Sequence, residues 1–497
     1  MIYNSTRDSS VGYTASQAIT QGISVDGGLF VPEEIPPITS NEIRMLAKVN
    51  YSSRAAYILS KYLTDFSIEE IEDFTSLAYN SERFRSPAVA PIHGLYDGVN
   101  LLELWHGPTC AFKDMALQIL PHLMRISARK AAQDKTIIIL VATSGDTGKA
   151  ALEGFRDAEN TRIIVFYPED GVSPIQKLQM ITQEGENVAV CGIKGNFDDA
   201  QTGVKAIFND PKTAKRLDTN NMMFSSANSI NWGRLLPQIV YYISAYCDLI
   251  DSGKINADDL INVVVPTGNF GNILSAYYAR KMGLPIAKLI CASNQNRVLT
   301  DFINTGEYNR NRSFYTTTSP SMDILISSNL ERLLYDISGC KDDEIRYLMR
   351  ELKEKGRYAV SDKIFADIKS LFWAGWCSDE QTAQTIKNVF ENHDYLCDTH
   401  TAVAVNVYEQ YRKSTGDKTP VIIASTANPY KFPASVLDAL GKNGADVNEF
   451  EKMDRLYEIT GKEIPEPLRS IHEKGKRFTD VCNPADMNKM IYKLLGI

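Results

Sequence analysis

The chain has 497 residues, with 53 basic against 61 acidic side chains and a net charge of −8, so it has no electrostatic footing for holding nucleic acid or another polyanion. Its 44% hydrophobic and 23% charged residues are those of an ordinary folded protein and exclude long disorder, collagen and a coiled-coil rod. At roughly 100–200 residues per domain, the length predicts about two to four domains.

Residues 1–16 contain no apolar leader-like run, and the most apolar stretch, 137–142, is far short of the roughly 18–20 residues a membrane span needs. A cytoplasmic protein without membrane partners is the expectation. A Gly/Pro-rich entry at 26–37 (DGGLFVPEEIPP) precedes helical, acidic stretches over 43–79, which predicts a separate, mainly helical N-terminal domain over 1–99. From about residue 100, β-branched runs alternate with helical patterns: 136–142 (TIIILVA), 162–167 (RIIVFY), 262–265 (NVVV), 288–292 (KLICA) and 421–425 (VIIAS). That alternation predicts an α/β class with parallel sheets and crossover helices. Around the helical stretch 175–182 and the run 187–193 (NVAVCGI), a smaller α/β unit is expected as an insertion, so 100–497 divides into two α/β subdomains and a helical C-terminal tail. Eight cysteines (Cys110, Cys191, Cys247, Cys291, Cys340, Cys377, Cys397, Cys482) form no C-x-x-C pair, so reduced core thiols are expected and no metal site.

Five segments carry candidate chemistry. In 106–118 (HGPTCAFKDMALQ), Thr109 is placed to cap a helix running toward Met124, and Lys113 falls in its first turns. A lysine among Ala111, Phe112, Met115 and Ala116 loses proton affinity if buried and becomes free for a Schiff base, although a lone lysine is more often a snorkelling surface residue. The segment 142–151 (ATSGDTGKAA) follows a strand and offers backbone N–H groups to an anion, yet it lacks the Gly and Ser/Thr of a P-loop, which removes an NTPase reading. In 266–273 (PTGNFGNI), Gly268 and Gly271 let the backbone approach a phosphate, without the G-x-G-x-x-G of a dinucleotide site. Both segments also read as plain βα turns. Thr426, in 424–432 (ASTANPYKF), lies at a strand end, where parallel sheets bind ligands and where an ordinary cap is equally common. Residues 225–234 (SSANSINWGR) gather hydroxyls, amides and a guanidinium suited to an oxyanion, and also fit a helix N-cap.

Together, and in this order with DGGLFVP at 26–32 and GNFDDAQ at 195–201, these motifs resemble the threonine synthase family, pyridoxal-phosphate enzymes of fold type II, in its longer form with an extra N-terminal domain. The resemblance implies that Lys113 holds pyridoxal 5'-phosphate as a Schiff base, that Gly268, Asn269, Phe270, Gly271 and Asn272 hold the cofactor phosphate, and that Thr426 faces the pyridine nitrogen. It implies a substrate-carboxylate cradle at Ser144, Gly145, Asp146 and Thr147, and a substrate-phosphate site at Ser226, Asn228, Asn231 and Arg234. The implied reaction turns O-phospho-L-homoserine and water into L-threonine and phosphate, the last step of threonine formation. A related phospho-lyase making 2-oxobutyrate, and a non-catalytic binder of a small anion, are the alternatives. Monomer or homodimer stays open.

Overall fold

In the computed structural model, which describes residues 1–131, 135–143, 145–170, 172–442 and 447–497, the β-branched runs form two separate sheets. The smaller has five parallel strands in the order Val481–Cys482, Val188–Ile193, Thr161–Pro168, Thr136–Ala142, Met222–Ser225. Along Thr136–Ala142, Ile137, Ile139 and Val141 enter the main core, while Ile138, Leu140 and Ala142 enter a second one with Val204, Ile207 and Ile491. Burial on both faces is why this strand reads as an unbroken apolar run instead of an alternating one.

The larger sheet is ordered Phe372–Trp376, Ile286–Ser293, Ile261–Pro266, Val421–Ser425, Val99–Glu103, Ile92–Tyr96. Its first five strands are parallel and the last is antiparallel. Ile92–Tyr96, expected in the N-terminal domain, thus belongs to this sheet by its hydrogen bonds. Asp97 and Gly98 reverse the chain there, with Gly98 at φ +73°, and Ile92 comes opposite Leu102. The C-terminal tail likewise is not purely helical: Val481–Cys482 adds an edge strand to the smaller sheet before the helix Met487–Leu495, whose Ile491 and Leu495 cover one sheet face.

Before the sheets come the helices Ala15–Gln21, Ser40–Leu46, Tyr51–Tyr62 and Ile68–Ala78. Three of them start in reciprocal capping boxes, Thr14 with Gln17, Thr39 with Glu42 and Ser67 with Glu70, which satisfy the first free N–H groups. Ala15–Gln21, Ser40–Leu46 and Tyr51–Tyr62 pack on the long buried helix Trp232–Asp251, where Arg54 donates to Ser244 Oγ (2.8 Å) and Asp248 Oδ1 (2.5 Å), while Ile68–Ala78 packs on Tyr51–Tyr62. All cysteines but Cys340 are buried free thiols, and no helix among the described residues is long and apolar enough to cross a membrane.

Five parallel strands set up the site. Val99–Glu103 ends three residues before the first candidate segment, and Thr136–Ala142, Met222–Ser225, Ile261–Pro266 and Val421–Ser425 each run into the start of one of the other four. The carboxyl ends of parallel strands are where open α/β sheets leave a crevice for ligands.

Candidate active site

Lys113 sits on a turn held from both sides. The Phe112 N–H donates to Thr426 O (2.8 Å), and Ala111 bridges Ala427, which ties this loop to the segment after Val421–Ser425. Thr109 is not a helix cap: its N–H and hydroxyl donate to the buried Asp114 carboxylate (2.9 and 2.6 Å). The helix that follows is only Asp114–Leu117, and a second begins at Leu120, with Pro121 unable to donate an N–H back to the first. Burial pushes Asp114 up to about 6 against those hydrogen bonds. The Lys113 side chain is 11% exposed, with its amine 4.7 Å from the centre of the Phe112 ring and 3.7 Å from Asp146 Oδ2. A snorkelling surface lysine is excluded. Burial first, then the charges of Lys431 and Arg234, pull its pKa down to about 8, with Asp146 opposing them.

The turn after Thr136–Ala142 is organised by a residue unremarked in the sequence. The Thr143 hydroxyl accepts from the N–H groups of Gly145 (3.0 Å) and Gly148 (2.9 Å). Gly145 has φ +141° and lies under the Gln176 side chain, where a Cβ would stand 2.4 Å from Oε1, so only glycine fits. Asp146 opens the helix Asp146–Phe155 and is buried. Its Oδ1 accepts from Lys431 Nζ and Gln176 Nε2, both at 2.7 Å, and its Oδ2 faces Lys113. Burial alone would raise its pKa; Lys431 and then Lys113 outweigh that and hold the carboxyl well below the usual range. An ionised Asp146 repels a second carboxylate, so of the expected cradle Gly145 and the half-buried Thr147 fit that role, while Asp146 acts on the two lysines. Ser144 lies outside the described residues.

In the third segment Phe270 adopts the left-handed conformation (φ +64°) and the helix Gly271–Met282 begins at the next residue. Such a φ is strained for a bulky side chain and belongs to functional turns. The carbonyl of Gly268 accepts from Ser327 Oγ (2.8 Å), and that of Asn269 accepts from Asn329 N (3.1 Å) and Nδ2 (3.0 Å). Because the peptides are trans, tying these carbonyls back turns the N–H groups of Asn269 and Phe270 the opposite way, beside the helix N-terminus, an anion-binding arrangement. A Cβ on Gly268 would stand 2.7 Å from Ser321 O. Asn272 is held inside by the Tyr241 hydroxyl, which donates to its Oδ1 (2.9 Å), leaving Nδ2 without a partner.

In the fifth segment the Asn231 amide is fully engaged: Oδ1 accepts from Gly233 N (2.8 Å), and Nδ2 donates to Ile19 O (3.0 Å) and Ser226 O (2.9 Å). This is the N-cap of Trp232–Asp251, so Asn231 shapes the turn. Ser226 is buried and its Oγ accepts from the N–H of the half-buried Asn228 (3.1 Å). Arg234 is buried and donates from Nη1 to Ala227 O, while its Nε has no partner. Burial lowers its pKa to about 10.

Four residues outside the expected set join these segments. Lys431 holds Asp146 and also donates to Thr109 O (2.9 Å). Ser321 lies between Asp146, with its Oγ 3.5 Å from Oδ2, and Gly268. Asn329 links Asn269 to Ser229 Oγ (3.1 Å), and Arg332 donates to Ser229 O (3.3 Å), Ile230 O (2.6 Å) and, from the N-terminal strand, Phe30 O (3.0 Å). Lys431 had a cue in its apolar flanks, Tyr430 and Phe432, and Arg332 sits in the amphipathic run of the helix Leu330–Ile337, whereas Ser321 and Asn329 lie in connecting segments with no periodic pattern. All five expected segments are thereby linked to one another through contacts around Lys113, Asp146 and the turn at Gly268–Asn272. A neutralisable amine, a helix N-terminus and the unpartnered buried Nδ2 of Asn272 suit a ligand with an aldehyde and a phosphate, and the unpartnered Nε of Arg234 is left for a second anion.

Comparison with known proteins agrees with this geometry. Residues 2–79 match the family described as threonine synthase N terminus, residues 79–362 the pyridoxal-phosphate dependent enzymes, and residues 401–491 the threonine synthase C-terminal family. Human threonine synthase-like 1 is 42% identical over 95% of this chain, which spans 64% of that protein; the chain covers less than two thirds of the length of the mammalian relatives of this name. Threonine synthase of Pseudomonas aeruginosa is 38% identical over 88% of this chain and 90% of its own. The crystal structure of pyridoxal-phosphate-bound threonine synthase from Brucella melitensis superposes with a TM-score of 0.87 at 36% identity, covering 99% of both chains.

Proposed function

This chain belongs to the threonine synthase family of pyridoxal-phosphate-dependent enzymes, and from that premise we propose that it converts O-phospho-L-homoserine and water into L-threonine and inorganic phosphate. The observation that carries the reading is the pairing of one buried amine with two anion-suited walls, the turn at Gly268–Asn272 and the Arg234 side, since cofactor and substrate each bring a phosphate.

Pyridoxal phosphate, when bound, supplies the electron sink that stabilises negative charge on the substrate carbons. Lys113 holds it. The backbone N–H groups of Gly268, Asn269, Phe270 and Gly271, with the free Nδ2 of Asn272, would hold its phosphate, and Thr426, whose carbonyl accepts from Phe112, would offer the cofactor ring a neutral hydroxyl. Burial pulls the Lys113 amine down to about 8, so close to neutrality it can both take and give a proton, and it would carry the proton transfers at the substrate Cα, Cβ and Cγ. Arg234, Ser226 and Asn228 hold the substrate phosphate as it leaves Cγ, and Gly145 and Thr147 receive the substrate carboxylate, with Ser144 assigned there by motif alone. Asn231 sets the turn that carries the phosphate side.

Greater identity to relatives named threonine synthase-like 1 than to the threonine synthases favours a second reading for consideration: the same groups, with the one water spent on hydrolysing the imine left after phosphate departs instead of adding at Cβ, yield 2-oxobutyrate, ammonium and phosphate. Product analysis separates them. Purified protein with pyridoxal phosphate and O-phospho-L-homoserine is expected to release threonine and phosphate in equal amounts; phosphate with 2-oxobutyrate and no threonine supports the second reading, and no phosphate at all refutes both.

A further inference from the structure

A lysine is almost never fully buried unless its charge is matched. Lys431 is 0% exposed, and its amine meets Asp146 Oδ1 at 2.7 Å and Thr109 O at 2.9 Å. Those two partners come from different parts of the cleft: Thr109 belongs to the loop that carries Lys113, and Asp146 to the turn that ends Thr136–Ala142. Lys431 itself lies in the 3-10 turn Pro429–Lys431, a few residues after Thr426. With Lys431 and Gln176 both on Oδ1, the Asp146 carboxylate presents Oδ2 to Lys113, at 3.7 Å, longer than a direct hydrogen bond.

We propose that Lys431 is a positioning residue of this site: it binds one oxygen of Asp146 and the Thr109 carbonyl together, so that the Lys113 amine meets a carboxylate already engaged elsewhere and stays free to react. The role deepens the reading of Lys113 as the cofactor lysine and rests on it. Without Lys431, Asp146 would swing fully onto Lys113 and keep it as an ammonium, a poor nucleophile. The charged groups facing Lys113 are Asp146 from the helix Asp146–Phe155, Lys431 from its turn and Arg234 from Trp232–Asp251, with Asp114 next in the chain but bound by Thr109.

The test reads the amine itself. In cofactor-free full-length protein, acetic anhydride labelling of Lys113 is followed by peptide mass spectrometry across pH. Lys431→Met keeps the apolar stem and removes the charge; it is expected to move the half-labelling pH of Lys113 upward by about one unit or more. Lys431→Arg, which keeps a cation, is expected to reverse most of that shift. Lys431→Gln, which keeps a donor toward Asp146 without charge, serves as the second variant should the methionine protein not fold, and is expected to shift in the same direction. A half-labelling pH within about 0.3 unit of the unmodified protein in the folded neutral variants overturns the proposal, being well below the shift that loss of a charge at this range produces. Failure of both neutral variants to fold also overturns it, by making Lys431 a residue of the fold. Because the readout needs neither cofactor nor substrate, it separates this proposal from the assignment of the reaction: a Lys113 that takes no pyridoxal phosphate defeats the latter alone.

Discussion

A guanidinium buried with an unpartnered Nε is unfavourable unless an anion arrives to meet it, and Arg234 is placed in that way beside the Lys113 amine. Its partner is proposed to be the substrate phosphate. Losing a charge-assisted contact to a phosphate costs about 1.5–3 kcal/mol, or about 10- to 150-fold in kcat/KM. Arg234→Ala is therefore expected to lower kcat/KM for O-phospho-L-homoserine by that factor while leaving the absorbance of the bound cofactor in place. Activity retained within about threefold, well under 1 kcal/mol, would make Arg234 a residue of the turn and move the phosphate site elsewhere. A motif drew attention to Lys113 and Arg234 but not to Lys431, which lies inside the motif 424–432 and shows its importance only through its contacts with Asp146 and Thr109. Asn231 shows the opposite case: its amide suits an oxyanion and equally suits a cap, and only the positions of Ile19 O, Ser226 O and Gly233 N decide for the cap.

Turns between strands and helices carry the site, and two glycines of one such turn differ in what they avoid. At Gly268 a Cβ would lie 2.7 Å from Ser321 O, a backbone atom that cannot give way without moving the 320–322 turn. At Gly271 the nearest atom would be Asn329 Nδ2 at 3.4 Å, an ordinary contact. Gly268→Ala is thus expected to lower the stability of the cofactor-free protein by about 1–3 kcal/mol, as overpacking does, and to weaken pyridoxal phosphate binding with it. Gly271→Ala is expected to leave stability nearly unchanged, so any loss of cofactor affinity there comes from the ligand side. Denaturant unfolding of both cofactor-free variants checks this, and equal stability losses would contradict it. Strands such as Thr136–Ala142 and Ile261–Pro266 were legible because β-branched residues fill both faces, whereas Val99–Glu103, buried throughout but reading VNLLE with a single β-branched residue, was not. The edge strands Ile92–Tyr96 and Val481–Cys482 were not, since an edge contributes little unbroken apolar sequence, although the Asp-Gly pair at 97 and 98 is a hairpin signal.

Across the whole molecule, the two sheets bring five parallel-strand ends to the linked segments, and the N-terminal region braces them through helices packed on Trp232–Asp251 and through Arg332, which joins Phe30 O, in the strand Phe30–Pro32, to the Ser229 and Ile230 carbonyls. Motif order along the chain foretold which segments meet. It did not foretell Ser321, Asn329 or Lys431, because their roles arise from neighbours far away in sequence, such as Asp146 for Ser321, Asn269 and Ser229 for Asn329, and Thr109 for Lys431. The claim that unites these scales is that the five segments converge on the amine of Lys113 and present it to pyridoxal phosphate. Borohydride reduction of the cofactor-loaded protein, followed by peptide mapping, tests it most directly. The expected result is a single modified peptide with pyridoxyl mass on Lys113, absent in Lys113→Ala and not restored by Lys113→Arg, whose guanidinium cannot form the bond. A reduced adduct on any other lysine, or one that persists in Lys113→Ala with activity intact, would contradict the account.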